Sequence, residues 1–440
     1  VSRYFTGTST IERDAVAFAL APALTPDGVV AAPSFFHGFA TQPQVLARGL
    51  VTLADITATR YFQYVPSELR DPVLTAQGDR LRAECFSACN SVYARLDLLP
   101  DAFDGGEIRH GTTNVDISAA TRAMLSSVAR NELLHLDVGI EGVTASTPTA
   151  SATERPVEMP DRWVRALGNA AELHHGLSEG FTVGAPGAKA FIAGLPPATS
   201  KAVTGWLVPT RAGVRFANRP ATGAVAISGV HRLSALKRLL VHVTGLTVRG
   251  PGGGAAGPVL VTVHLPAARL TLGLTEESWR GYSGEGALLS ALASAEVLDD
   301  ADLLSALLAF EPVIDVSRLA SGADLSPGRV RGGLAVLATS GRVGWDAHDG
   351  AWFHRELPDD PDRVDKDNPR LVAARRLADA GAVRADGTRW VVRSSGTDYT
   401  VEFAPDRTPR CTCTWYLRHQ SRRGACKHAL AVQLFTQEPV

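Results

Sequence analysis

Three cysteines and one histidine near the end of the chain have the spacing of a metal site. Cys411-Thr412-Cys413 is followed, after twelve residues, by Cys426-Lys427-His428. Two thiolates one residue apart reach a single metal where the backbone turns, and Cys426 and His428, straddling a helix start, supply the other pair. Zn²⁺, with no redox chemistry and no directional d-electron demand, takes four such ligands tetrahedrally, at about 2.3 Å to sulfur and about 2.0 to 2.1 Å to nitrogen. Three Cys and one His close the tetrahedron and leave no position for water or substrate, so one structural zinc is expected. A Cys411 to Cys413 disulfide would close a tight, strained ring. His419 is the other candidate nitrogen, but it lies between Arg418 and the run Ser421-Arg422-Arg423, which suits a solvated loop.

No second constellation of this kind stands out. His174 and His175, with Glu172, imitate an acid–base cluster, but adjacent histidines on a helix diverge and surface positions are expected. Cys85 and Cys89 share a face if their strand is unbroken and read as core packing. The run 250–254 (Gly-Pro-Gly-Gly-Gly) leads into a strand and lacks the Lys and Ser or Thr of a phosphate cradle, so a hairpin loop is expected. The run 281–286 (Gly-Tyr-Ser-Gly-Glu-Gly) has neither a Rossmann strand nor a downstream acid. His-Glu-x-x-His, P-loop and kinase-type sets are absent from the sequence, and the expectation is a protein that is not an enzyme.

The elements that must position the ligands belong to a long chain. Its 440 residues, 45% of them apolar, exceed one ordinary core and call for two to four domains. A net charge of −1 gives no global pull toward nucleic acid or membrane. Five unevenly spaced cysteines make no disulfide framework, which fits a reducing cytoplasm. Residues 15–23 imitate a signal peptide, but Glu12 and Asp14 stand where positive charge belongs. No uncharged apolar run is long enough for a membrane span. Basic residues are nearly all Arg and Ala and Gly abound, a bias of GC-rich bacterial genomes.

Apolar spacing over 41–61 predicts a helix behind Pro43. Alternation over 81–85 and 92–96 predicts a hairpin, with further strands at 115–117 and 135–138 and a Ser/Thr/Pro-rich linker at 145–156. A second mixed region follows, with a helix at 234–243 and strands at 206–208, 214–217 and 259–263. Three helices at 302–310, 316–321 and 327–339, then two extended runs near 346–350, give the order of a winged helix, Ser326 capping and Pro327 opening the third. In a DNA reader Arg329 and Arg331 would face bases or phosphates. The segment 299–357 carries nine acids against five arginines, however, and protein docking or packing suits it better. The fold class expected is a multidomain α+β chain: an N-terminal α+β region (1–150), a second α+β region (157–295), a winged-helix-like segment (296–358) and a small zinc finger (384–440).

Strand-like runs at 390–393 and 399–403 precede the cysteines, and 429–435 looks helical. A hairpin, then Cys-x-Cys, a gap, and Cys-x-His entering a helix resembles the SWIM-type zinc finger, over about residues 388–435. The longer chain also looks like bacterial SWIM zinc finger proteins at Ser34-Phe35-Phe36-His37-Gly38-Phe39, Arg60-Tyr61-Phe62 and Trp352-Phe353-His354-Arg355-Glu356-Leu357-Pro358. The resemblance implies a non-catalytic finger contacting protein or DNA, with a MoxR-type AAA+ ATPase or a von Willebrand A domain protein as partner. Residues 384–428 hold nine basic residues against four acids. Arg410, Arg418, Arg422, Arg423 and Lys427 could contact phosphate, with Trp415 and Tyr416 as stacking faces. The same charges could instead compensate the −1 of a zinc held by three thiolates, and the two aromatics could cap a small core. The sequence thus supports a cytoplasmic zinc-binding adapter that docks onto a protein, with a nucleic-acid-binding regulator as alternative.

Overall fold

The computed structural model describes residues 34–63, 71–293, 297–308, 311–355, 357, 363–420 and 422–436, with short strand segments between residues 10 and 30. The signal-like features at Glu12, Asp14 and 18–22, the residues 309–310 of an expected helix, Glu356, Pro358 and Ser421 lie outside the described residues. The chain is a mixed α+β, multidomain structure built around one large sheet. Among the described residues no helix is long and apolar enough to cross a membrane.

Strict alternation in the sequence creates that sheet. Its eight antiparallel strands run in the order His110–Asn114, Val73–Gln77, Leu81–Phe86, Val92–Leu98, Ala268–Leu274, Val259–Leu265, Gly245–Gly250, Ser178–Gly184. Four come from the first half of this region and four from the second, joined where Leu96 faces Leu270. Alternate positions such as Leu81, Ala83, Ala94, Leu96, Leu270 and Leu272 give an apolar face, as a period of two requires. It is covered by the helices Pro43–Thr57 and Ala185–Ala193, with the 3₁₀ segment Val230–His242 packed against both. Gly49 permits this approach, since a Cβ there would lie 2.7 Å from Leu96 Cδ2.

The intervening positions are polar and equally buried. Arg82, Asp97 and Arg269 are direct cross-strand neighbours. Asp97 bonds Arg269 at 2.8 Å and lies 3.2 Å from Arg82. The hairpin Val343–Asp346 and Ala351–His354 lies over them. Asp346 accepts from Arg82 at 2.7 Å, Arg269 at 2.6 Å and Arg95 at 2.8 Å. Asp349, after the first strand, accepts from Arg80 at 2.5 Å. Arg355 grips Glu84 through two bonds of 2.6 and 2.7 Å, and Phe353 lies under Arg82 at 4.0 Å. Burial alone would raise both carboxyls; the surrounding guanidiniums outweigh it, holding Asp346 well below the usual range and Glu84 down to about 2.

The winged-helix order appears as expected: Val297–Leu307, Val316–Ala323 and Pro327–Thr339, then the hairpin. Ser326 accepts from the Arg329 amide at 3.3 Å. The third helix, however, is buried from Gly332 to Thr339. Its Ala338 carbonyl would be 2.5 Å from a Cβ on Gly168 of the helix Asp161–His175. Arg329 is spent on Asp300 at 2.5 Å. This helix is wedged between neighbours, and most of its length faces protein.

Some local expectations change. Residues 145–156 are no linker: Gly142–Ser146 and Ser151–Glu154 form a hairpin within a second, five-stranded sheet. The strand expected at 115–117 is a single bridge from Val115 to Pro156, the real strand ending at Asn114. Run 250–254 joins two antiparallel strands, as expected for a hairpin loop.

Replacing Asp346 with Ala leaves three buried arginines without their shared acceptor. The expected cost is about 3 to 5 kcal/mol, read from urea midpoints of wild type and variant. Glu84, lowered on folding, contributes stability that is complete above its unfolded value of about 4.3 and is lost as pH falls toward about 2. Glu84→Gln should flatten the fall in the urea midpoint across that window.

Candidate metal centre

The ligands sit on a unit that the sequence outlined only in part. The hairpin Arg389–Ser394 and Thr397–Phe403 turns at Ser395-Gly396, both at positive φ, as a tight hairpin turn requires. Two strands unforeseen in the sequence, Val383–Asp386 and Pro409–Cys411, extend it to four. Helices Pro369–Asp379 and Lys427–Thr436 pack together and bury Leu371, Ala374, Leu430 and Val432.

Each ligand has a distinct local origin. Cys411 ends the edge strand opposite Val401. Cys413 caps the helix Thr414–His419, its sulfur accepting from the Tyr416 amide at 3.5 Å. Cys426 precedes the last helix, accepting from the Ala429 amide at 3.4 Å. His428 lies in the first turn of that helix and stacks on Tyr399, with centroids 4.2 Å apart. Its Nδ1 lies 3.8 Å from Cys411 Sγ, while Nε2 is buried without a hydrogen-bond partner. All four ligand atoms are within 4.8 Å of one another and all four residues are buried.

That spacing fits one tetrahedral ion, whose sulfurs would stand about 3.8 Å apart. The bond to Cys426 and then burial push the Cys411 thiol up, burial pushes Cys413 up, and the bond from Cys411 pulls Cys426 down to about 4. Three sulfurs this close cannot all ionise unless a cation replaces their shared protons. The cluster could hold one metal ion such as zinc.

No family model matches the chain, and no curated protein matches it. Among solved structures it is similar to proliferating cellular nuclear antigen from Entamoeba histolytica, with 13% identity and a TM-score of 0.37, covering 55% of this chain and 99% of that one. It is also similar to the PCNA2–PCNA3 complex from Sulfolobus tokodaii, with 9% identity, a TM-score of 0.39, and coverage of 54% and 98%. No functional reading rests on likeness at that level.

The basic residues of the finger are mostly engaged. Arg389 pairs with Glu402 at 2.8 Å, and Arg384 and Arg393 flank Asp398 at 3.7 and 3.8 Å. Arg422 reaches Glu276 at 3.2 Å. Arg423 donates to the Gly284 carbonyl at 3.3 Å and stands 5.5 Å from the Trp415 ring. Arg370, which the sequence did not single out, covers Trp415 at 4.2 Å. Trp415 therefore meets two guanidiniums, and Tyr416 packs against the core. Arg410 and Arg418 are exposed and Lys427 is half-buried. The His419 ring lies tilted against Trp415, centroids 4.5 Å apart, outside the cluster.

The other candidates resolve differently from expectation. His174 is no surface residue: it is 2% exposed, bonds Tyr282 Oη at 2.9 Å, and burial pushes it down to about 3. His175 packs against Trp345 and Trp352 at 4.5 and 5.7 Å. Cys85 is core, whereas Cys89 lies beyond the strand end at Phe86, half-buried in a turn.

Purified protein is expected to carry one zinc per chain by mass spectrometry. Cys426→Ser and His428→Ala should each lower that content to a small fraction, and His419→Ala should leave it unchanged.

Proposed function

We propose that this chain is a non-catalytic adapter whose C-terminal finger, of the SWIM type by its motif, is folded by one structural zinc and docks onto a protein partner. The observation that carries the reading is the closed, buried set Cys411, Cys413, Cys426 and His428, which leaves a tetrahedral ion no open position for hydrolytic chemistry. Free cysteines throughout the described chain suit a reducing cytoplasm.

Protein rather than nucleic acid is the favoured partner because the phosphate-binding inventory is depleted. Three arginines answer the finger's own acids and two more reach the neighbouring loop, so the local excess largely compensates charge within the molecule. Trp415, with Arg370 at 4.2 Å and Arg423 at 5.5 Å from its ring, offers less face to a base. Beside Arg418, Leu417 is 67% exposed and supplies an apolar anchor of the kind found in docking surfaces. The MoxR-type ATPases and von Willebrand A domain proteins suggested by the resemblance are the first baits.

Capture of such a bait by the zinc-loaded chain should fall more than tenfold with Leu417→Ser and change little between low and moderate salt. Binding to DNA that drops steeply with salt, and that is lost with Arg410→Glu and Arg418→Glu, would replace this reading with a nucleic-acid-binding regulator.

A further inference from the structure

We propose that metal occupancy controls a clasp between the finger and the loop 283–289, so that losing the metal frees that loop while the rest of the large sheet stays folded. The inference rests on reading the cluster as a metal site and extends it from folding to regulation.

The clasp is built from the segment 414–425, whose two ends are fixed by the ligands Cys413 and Cys426. Inside it, Arg370 Nη1 donates to the carbonyls of Arg423, Gly424 and Ala425 at 2.9, 3.3 and 3.0 Å. Trp415 Nε1 adds a bond to the Gly424 carbonyl at 3.3 Å. The outer side of the segment abuts the large domain. A Cβ on Gly424 would lie 2.1 Å from the Gly286 carbonyl, and one on Gly286 would lie 2.8 Å from the Arg423 carbonyl, so two glycine backbones touch. Gly424 also has φ +76°, a conformation other L residues adopt only with strain.

Each tie to the large domain is weak alone. Arg422 to Glu276 is a half-exposed pair, and Arg423 to Gly284 a single bond of 3.3 Å. They act together because residues 423–425 are already held by Arg370 and Trp415 when they meet the loop, which raises their effective concentration. Without a metal both ends are released, and the ties must then order twelve residues by themselves. The loop has its own anchor one residue upstream: Tyr282 donates its amide to Asn90 O at 2.7 Å and its ring is buried. The Ser283 amide, donating to Asn90 Oδ1 at 2.7 Å, extends that anchor, and Glu285 keeps its side-chain pair with Arg280 at 2.5 Å, so freedom should show in the backbone after Ser283. The Glu285 amide bonds the Tyr282 carbonyl at 3.1 Å and the Leu289 amide bonds Gly286 at 3.3 Å, so both report opening.

Hydrogen exchange of the full chain, zinc-loaded and after chelation, tests this beside metal content. Chelation should speed exchange at Glu285 and Leu289 about tenfold or more, along with the finger, and leave Tyr282 unchanged. Gly424→Ala should do the same at Glu285 and Leu289 with one zinc still bound; if that variant loses zinc, Arg370→Ala is read by the same criterion. Acceleration confined to residues 363–436 after chelation, or a zinc-retaining variant with unchanged exchange at 285 and 289, overturns the clasp. A wild type that holds no zinc instead defeats the site reading, which the metal content shows before any exchange is measured.

Discussion

Asp346 shared among Arg82, Arg95 and Arg269 is the constraint on which the architecture depends. An eight-stranded sheet with arginines on one face cannot leave water on that side unless counter-charges arrive from elsewhere. Asp97 supplies one from within the sheet, and the hairpin after the third helix of the winged-helix-like segment supplies Asp346 and Asp349. A face of leucines would accept many partners in many registers, whereas a fixed array of guanidiniums accepts only carboxylates placed to match it. The N-terminal three fifths of the chain and the segment after it are thereby fitted to one another, and the finger inherits its place from that fit.

Legibility followed the range over which each signal acts. The Cys and His cluster and the Ser326 cap were readable because their physics is local: a knuckle, a helix start, a side chain reaching three residues on. The hairpin after Phe86 and the helix behind Pro43 were readable from period. The joining of Val92–Leu98 to Ala268–Leu274 was not, since nothing in either strand marks a partner so distant. The Ser/Thr/Pro content of 145–156 suggested a linker, yet Ser and Thr side chains can pair across an exposed hairpin, as Thr144 does with Thr153. His174 misled for another reason: burial is set by the Tyr282 loop above it, which its own helix cannot announce.

The finger shows how a small unit obtains a core. Its apolar residues are continuous with those of the winged-helix-like segment, so Val392, Leu430 and Leu371 share a cluster with Leu334 and Leu337. Cys411, Cys413 and Cys426 belong to that same cluster, and with His428 they could cross-link it through one metal ion. The basic residues beside it belong to this arrangement more than to a free surface: they neutralise, stack and tie.

The central seam also bears on how the protein is made. Val92–Leu98 is an inner strand only once Ala268–Leu274 lies against it. During synthesis it remains an unpaired, alternating edge until about 180 further residues have left the ribosome, and the buried arginines beside it wait longer still for Asp346. Open strands of that kind recruit neighbouring chains. A nascent chain of this design has reason to depend on chaperones, and its slow step is the closure of a long loop rather than the folding of any one helix.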